Sequence, residues 1–293
     1  MAAPALASVD RLSDELSRII KARIDADRLV VPAMPQVATK CLGIIKDPEF
    51  PVRRLVESLE TDPLFSAQVV RAASIAALGG QPVRSLEMAV NRLGVNQLRS
   101  VLTQAAARSL FETRDRNIAA RLAQVWKHSV AVAMLARDVG AVMRLDDGEI
   151  VYLTGLLHDI GKPVVASLLL EAEAQLGKKG WITAEQWSQV VDSTHRPIGV
   201  AIAEKWNLDF DVVQAVRDCS DYDAGNRRCA ANVVRFANAM VKTKGVSGGA
   251  VDLDDANALV MIGRSLLDLD DEVVKRLTAG LKERVNGMVA PGW

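Results

Sequence analysis

The adjacent pair His158-Asp159 is the part of this sequence best suited to chemistry. It lies in Leu-Leu-His158-Asp159-Ile-Gly161-Lys162, where an imidazole and a carboxylate stand side by side at the end of a predicted helix. Mixed nitrogen and oxygen ligands suit iron, manganese, zinc or nickel better than calcium. We expect Gly161 to allow a sharp turn after the pair, and Lys162 to offer a cation to a bound phosphate. The segment therefore predicts a divalent metal site.

Two more histidines and an asparagine are candidates to complete this site. His128 lies on a long predicted helix with apolar residues four, seven and eleven positions later, so it faces inward. His195 precedes Pro197 at a predicted helix start, and Asn238 faces inward on its own helix. Each has a structural alternative: a core imidazole bonded to a carbonyl, a surface cap residue and a buried amide, respectively.

The elements that must position these residues are all predicted to be helices. Apolar residues recur with a period near 3.6, and no stretch shows the sustained alternation of a strand. Asp62-Pro63 is predicted to open one helix, Gly94 to end another and Pro197 to begin a third. Residues 242–250, which include three Gly and one Ser, are the best linker candidate. The sequence therefore predicts an all-α protein.

The charge balance limits the choice of partners. The chain has 293 residues, and its 36 Lys and Arg equal its 36 Asp and Glu, so the formal charge is zero. Broad nucleic-acid binding needs a basic field, so no DNA partner is expected. The three cysteines are too few and too scattered for a disulfide framework. They indicate reduced thiols and a cytoplasmic protein.

No membrane association is expected either. The densest apolar stretch, residues 164–170, is far shorter than the ~20 residues that cross a bilayer. The N-terminal residues lack the positive start and apolar core of an export signal.

Several motifs, in their order and spacing, resemble the HDOD domain, a relative of the HD and HD-GYP phosphohydrolases. The matching segments are Val31-Pro-Ala-Met-Pro35, Ser58-Leu-Glu-Thr-Asp62-Pro63-Leu, Trp126-Lys-His128, the segment around His158-Asp159, and His195-Arg-Pro-Ile-Gly199. The resemblance covers about residues 29–242, which is most of the chain.

The resemblance implies an all-helical fold of two packed helical halves, residues 29–115 and 116–242, the second an HD-like bundle. Residues 1–28 would add an N-terminal helix. Residues 251–293 lie outside the resemblance, and their apolar stripe predicts a C-terminal helical extension that either covers the second half or mediates a homodimer. A role in bacterial signal transduction is also implied, because the family is usually described as a regulatory output module.

The resemblance further implies which residues bind the metal. By position, His128 matches the first ligand histidine of HD enzymes, and His158 and Asp159 match the paired ligands. His195 matches an additional histidine ligand of the HD-GYP branch. Asn238 stands where the family has a terminal aspartate, and its neutral carbonyl removes one negative charge from the site.

A second departure concerns the tandem histidines of the HD-GYP branch. They would fall near Cys219-Ser220, and neither is present. With Asn238 in place of an acid, the resemblance implies at most one weakly bound divalent ion. A binuclear cyclic-dinucleotide phosphodiesterase is not expected.

Two functions from different classes remain open. The first is a non-catalytic signalling module that acts through a protein partner or a small effector such as a nucleotide. The second is a metal-dependent phosphohydrolase of a nucleotide or cyclic dinucleotide, in which Asp159 orients water and Lys162 steadies the phosphate. Asn238 favours the first.

Overall fold

The computed structural model describes residues 31–76, 82–176 and 184–289, together with Arg18, Ala22 and Ala26. Within these residues every regular element is a helix and no strand is present, so the all-α prediction is confirmed. The predicted N-terminal helix of residues 1–28 falls almost entirely outside the described residues. The described helices divide between two compact units.

Residues 33–109 form the first unit. Its helices are α1 (Gln36–Ile44), α2 (Val52–Leu59), α3 (Pro63–Ala76) and α4 (Leu86–Leu110). Asp62 precedes the first-turn proline of α3, and its carboxylate accepts hydrogen bonds from the backbone N–H of Leu64 and Phe65. The predicted Asp62-Pro63 helix start is therefore confirmed.

Gly94 interrupts α4. Its φ of +66° and ψ of 174° are not helical, so one helical segment ends there and another begins after it. Glycine adopts a positive φ without the steric penalty that other residues meet. The predicted helix end at Gly94 is confirmed.

Residues 31, 32 and 110–289 belong to the second unit. Its helices are α5 (Arg116–Val142), α6 (Gly148–Leu157), α7 (Lys162–Leu176), α8 (Ala184–Lys205), α9 (Phe210–Asp218), α10 (Ala230–Thr243), α11 (Leu253–Leu266), α12 (Asp271–Thr278) and α13 (Leu281–Val289). The central helix is α5, which packs against α6, α10 and α13. A Cβ on Gly155 of α6 would lie 2.8 Å from Ala133 Cα, so this glycine lets α6 cross α5 closely.

The helices after residue 250 pack within this unit. Helix α11 lies against α10, and α12 and α13 lie against α5. They therefore cover the two helices that carry His128 and Asn238. Residues 31 and 32, at the start of the unit, are hydrogen-bonded to the end of α8. Lys205 Nζ donates to Val31 O, and Trp206 Nε1 donates to Pro32 O.

The prediction for α8 was wrong at Pro197. The helix runs from Ala184 to Lys205 with Pro197 inside it, so His195 lies within a helix rather than at its start. A proline inside a helix removes one backbone hydrogen bond. Burial of Ile198 and Ile202 on the same helix offsets that loss.

One apolar stretch, Gly148–Glu171, is long and apolar enough to cross a membrane, contrary to the sequence expectation. Of its most apolar part, 72% is buried inside the protein. That burial is typical of the core helices of a compact domain. Cys41, Cys219 and Cys229 are free thiols, as predicted.

Candidate metal centre

His158 and Asp159 lie in the turn between α6 and α7. Helix α6 ends at Leu157 and α7 begins at Lys162, so the pair is held between two packed helices. Both residues are almost completely buried. An imidazole and a carboxylate buried together require partners that satisfy their polar atoms.

Each of the three histidines forms a hydrogen bond between its Nδ1 atom and a backbone carbonyl oxygen. His128 Nδ1 lies 2.9 Å from Val246 O, His158 Nδ1 lies 2.7 Å from Gly155 O, and His195 Nδ1 lies 3.0 Å from Val191 O. A carbonyl oxygen only accepts, so each Nδ1 carries the proton and donates it. Each neutral ring then keeps a lone pair on Nε2, which is how ligand histidines are commonly oriented.

The Nε2 atoms converge on Asp159. The distance to Asp159 Oδ2 is 3.9 Å from His128 and 3.4 Å from His158, and His195 Nε2 lies 3.2 Å from Oδ1. Ligand atoms of His128, His158 and Asp159 all lie within 4.8 Å of one another. The structure therefore brings together four residues that the sequence analysis selected from separate segments.

Most of these atoms are acceptors, although Lys162 Nζ donates to Asp159 Oδ2. The Nε2 atoms of His158 and His195 are buried and have no hydrogen-bond partner among the described residues. Each faces a carboxylate oxygen of Asp159, which is also an acceptor. Buried unpaired acceptors are costly, and a cation would satisfy all of them at once. The donor set therefore fits a divalent metal with nitrogen and oxygen ligands.

Burial keeps the imidazoles neutral. It lowers the pKa of His128 to about 4 and that of His158 to about 3, although nearby Asp159 opposes both shifts. Burial alone would raise the pKa of Asp159, but positive charge around it, which at neutral pH comes from Lys162, holds it well below its ordinary value. At neutral pH His128 and His158 are therefore neutral and Asp159 is ionised, the protonation states that metal binding requires.

Asn238 joins the centre through His128. Its Oδ1 lies 3.1 Å from His128 Nε2. A side-chain amide has a donor end and an acceptor end, so Asn238 can donate its NH₂ to the neutral imidazole or offer Oδ1 to a cation. In either orientation it contributes no charge.

Lys162 is engaged with carboxylates rather than free for a phosphate. Its Nζ lies 2.9 Å from Asp159 Oδ2 and 2.8 Å from Asp192 Oδ1. Burial would lower the pKa of Lys162, but these two carboxylates outweigh it and raise the pKa. Asp192 was not selected from the sequence. It lies on α8 with no motif around it, and only the tertiary fold brings it to Lys162.

Gly161 lies at the end of the predicted turn, and a close contact adds a second reason for glycine there. The described glycines with positive φ are Gly94, Gly245 and Gly280, so Gly161 needs no special backbone conformation. A Cβ on Gly161 would collide with His195 O and would lie 2.8 Å from Gly199 N. Glycine is required because the backbone of α8 passes directly against it, and this close approach holds His195 beside Asp159.

The segment that composition favours as a linker forms part of the centre. Val246 is buried, and its carbonyl holds His128. A Cβ on Gly248 would lie 2.9 Å from Val125 Cα, so the lack of a side chain lets the segment pack on α5. Gly248 therefore allows close packing, and the segment does not separate two domains.

The centre opens into a cavity of about 370 Å³. The cavity extends from the histidines along α10 to the start of α11. Its charged lining residues are Asp159, Lys162, Asp192, Arg196, Arg235, Lys242, Asp252 and Asp255.

Comparison with protein families places this arrangement in context. The model of the HDOD domain matches residues 31–222. A Treponema pallidum (strain Nichols) protein, named "Uncharacterized protein", is 24% identical over 225 residues. The match covers 74% of this chain and 42% of that protein, so the chain spans less than half of this relative.

Solved structures share the fold. A Shewanella amazonensis SB2B protein named "Putative metal-dependent phosphohydrolase" has a TM-score of 0.77 at 20% identity, over 94% of this chain and 99% of that one. An HDOD domain protein with unknown function from Geobacter sulfurreducens has a TM-score of 0.66 at 20% identity, over 95% and 99%. A "Putative signal transduction protein" from Marinobacter aquaeolei VT8 has a TM-score of 0.63 at 23% identity, over 91% and 60%.

Proposed function

The chain belongs to the HDOD family, and from that premise we propose that it is a signal-transduction module that binds one divalent metal without turning over a substrate. The observation that carries this proposal is the convergence of the Nε2 atoms of three buried histidines on the carboxylate of Asp159. The names of the solved relatives include both a phosphohydrolase and a signalling protein, and at this level of identity they support only the fold.

The ligands of this metal would be His128, His158 and Asp159, with His195 and Asn238 completing the set. A divalent ion held there would supply Lewis acidity, polarising a phosphoryl oxygen and acidifying water. The protein residues themselves hold the imidazoles in one tautomer and keep Asp159 ionised. They also exclude bulk water, because His158 is 1% and Asp159 is 4% exposed.

Two features favour weak binding and no turnover. Asp159 shares its Oδ2 with Lys162, so a metal must compete with an ammonium group already in place. Asn238 contributes a neutral amide at the position facing His128. Fewer negative ligands mean lower metal affinity, since the attraction of each carboxylate is lost.

The proposal is tested by elemental analysis of protein purified without chelator after supply of manganese, iron, zinc or nickel. We expect up to one ion per chain, and its loss in His158→Ala. Nucleotides and cyclic dinucleotides should not be hydrolysed by the loaded protein. Metal-free protein under all conditions would overturn the binding proposal.

The phosphohydrolase remains the second candidate, because a cavity lined by four cationic and four acidic side chains lies beside the centre. Hydrolysis that disappears in both His158→Ala and Asp159→Ala would establish this function in place of the first. In the favoured function, the output is contact with a signalling protein in the cytoplasm. Co-purification from cell extract, compared between wild type and His158→Ala, tests whether the metal centre governs that contact.

A further inference from the structure

Helix α11 has an outer apolar face that no described residue covers. Its inner face packs on α10, and there Ala256 and Gly263 are buried. On the outer face Met261 is 71% and Ile262 is 53% exposed, and Ala258 is exposed as well. Of the eight large apolar side chains that are exposed in the described part of the chain, three lie on this helix. Such a concentration is typical of an interaction surface.

The outer face has the spacing of a coiled-coil seam. Its central residues follow one another at intervals of four, three and four positions, as the core positions of a heptad repeat do. They are Asp254, Ala258, Met261 and Ser265, all of which are exposed. The helix has 14 residues and is about 21 Å long, so the seam extends over three turns. A face of this kind is suited to pairing with one other helix.

The seam is complementary to itself when two copies of α11 lie antiparallel. The core positions of one helix then face those of the other in reverse order. With a two-fold axis at the middle of the helix, Ala258 faces the partner's Met261, so a small side chain lies opposite a large one. A shift of one heptad would place Asp254 opposite the partner's Ala258, or Ser265 opposite the partner's Met261. Apolar contact therefore favours a single register.

The charges on α11 agree with this register. The helix has the acidic Asp254 in its first turn and the basic Arg264 in its last, and both are exposed. In the antiparallel pair each Asp254 lies beside the partner's Arg264, so an ion pair forms at both ends. Arg264 Nη1 already contacts Asp271 of its own chain, but a guanidinium has further donors for a second carboxylate. A parallel pair would instead bring like charges together.

We propose that α11 is the interface of a homodimer in which the outer faces of two copies pack antiparallel. The proposal goes beyond the metal centre and uses none of its ligands. A two-fold axis lets one patch serve both subunits, so no second surface is needed. A seam of three turns is small beside the roughly 1,200–2,000 Å² of stable interfaces, so we expect monomer and dimer in equilibrium.

The first test is sedimentation velocity of the full chain at concentrations from about 10 µM to about 1 mM, the range suited to a small interface. We expect wild type to shift from monomer toward dimer as the concentration rises. Met261→Lys should stay monomeric, because it places a charge at the centre of the seam. Phe210→Lys is the matched control, since Phe210 is 76% exposed but lies on α9; it should dimerise as wild type does. A monomeric wild type, or equal dimerisation of Met261→Lys and wild type, overturns the proposal.

A second test examines the pairing of Asp254 with the partner's Arg264. Asp254→Arg and Arg264→Asp should each weaken self-association at least about tenfold, because like charges then meet at both ends of the seam. An equal mixture of the two variants should dimerise about as well as wild type, since each end regains one acid and one base. Recovery on mixing cannot come from misfolded chains, so it also excludes an effect on folding. If the two variants sediment in the mixture as they do alone, the antiparallel pairing is wrong.

Discussion

Lys162 Nζ lies 2.9 Å from Asp159 Oδ2, the same carboxylate oxygen that faces the Nε2 atoms of His128 and His158. The ammonium group therefore occupies a coordination position of the one carboxylate in the candidate centre. Lys162 acts as a built-in counter-ion, so metal binding is a competition between two cations for one oxygen.

Replacement of Lys162 by methionine should make the stability of the folded protein depend on a bound metal ion. A buried Asp159 without its counter-ion should lower the free energy of unfolding of the metal-free protein by about 3–5 kcal/mol. The metal affinity should rise at least about tenfold, because a competing positive charge is gone. Urea unfolding and metal titration measure the two effects. Lys244→Met is the control, and a metal affinity no higher in Lys162→Met than in this control contradicts the competition.

Replacement of Asn238 by aspartate should tighten metal binding. The side chain already contacts His128, so the change adds a negative charge at the centre without a large change in shape. We expect roughly a tenfold gain in affinity or more, because ligand charge governs metal affinity. Metal titration monitored by calorimetry checks it. Asn257→Asp adds the same charge at an exposed position of α11, and equal affinities in the two variants would refute the role of Asn238.

Stability should fall as the pH is lowered from about 6.5 toward about 4. The folded-state pKa values of His128 and His158 are about 4 and about 3, below the ordinary value of about 6.5. Between these values the unfolded chain takes up protons that the folded chain does not, so the stabilisation is complete above pH 6.5 and is lost on acidification. Each histidine should contribute about 1.4 kcal/mol per pH unit. Urea unfolding of metal-free protein at several pH values measures the slope, and His128→Gln should reduce it by about half. A free energy of unfolding that is the same at pH 5 and pH 7 contradicts this.

Substitution of Gly161 should damage the centre through the backbone of α8. In Gly161→Ala the new Cβ would collide with His195 O, so α7 and α8 must move apart. We expect a loss of about 2 kcal/mol or more in the free energy of unfolding and weaker metal binding. Gly199→Ala is the matched control, since its Cβ would meet its nearest neighbour only at 3.5 Å. Similar thermal midpoints for the two variants would show that the close approach is not what Gly161 provides.

Sequence reasoning succeeded where local chemistry decides the structure. Helical periodicity placed His128 and Asn238 facing inward, and the two side chains meet in the structure. Asp62-Pro63 and Gly94 act through their own backbone preferences, so their positions could be predicted without a fold.

The rest depended on contacts between distant segments. Asp192 approaches Lys162, and Val246 accepts from His128, only because four helices pack together. Pro197 was predicted to begin a helix from its usual preference, but packing of α8 against the core overrides that preference. Gly161 was predicted as a turn residue and lies in the turn, but its close contact with His195 could not be predicted, because His195 lies on another helix.

The bond between His128 and Val246 also bears on how the domain should be delimited. The family match ends at residue 222, so both the carbonyl that fixes the His128 tautomer and the amide of Asn238 lie beyond it. A protein shortened to the matched residues would retain every histidine while losing the acceptor that orients one of them. Biochemical work on such a fragment would describe an unfinished pocket.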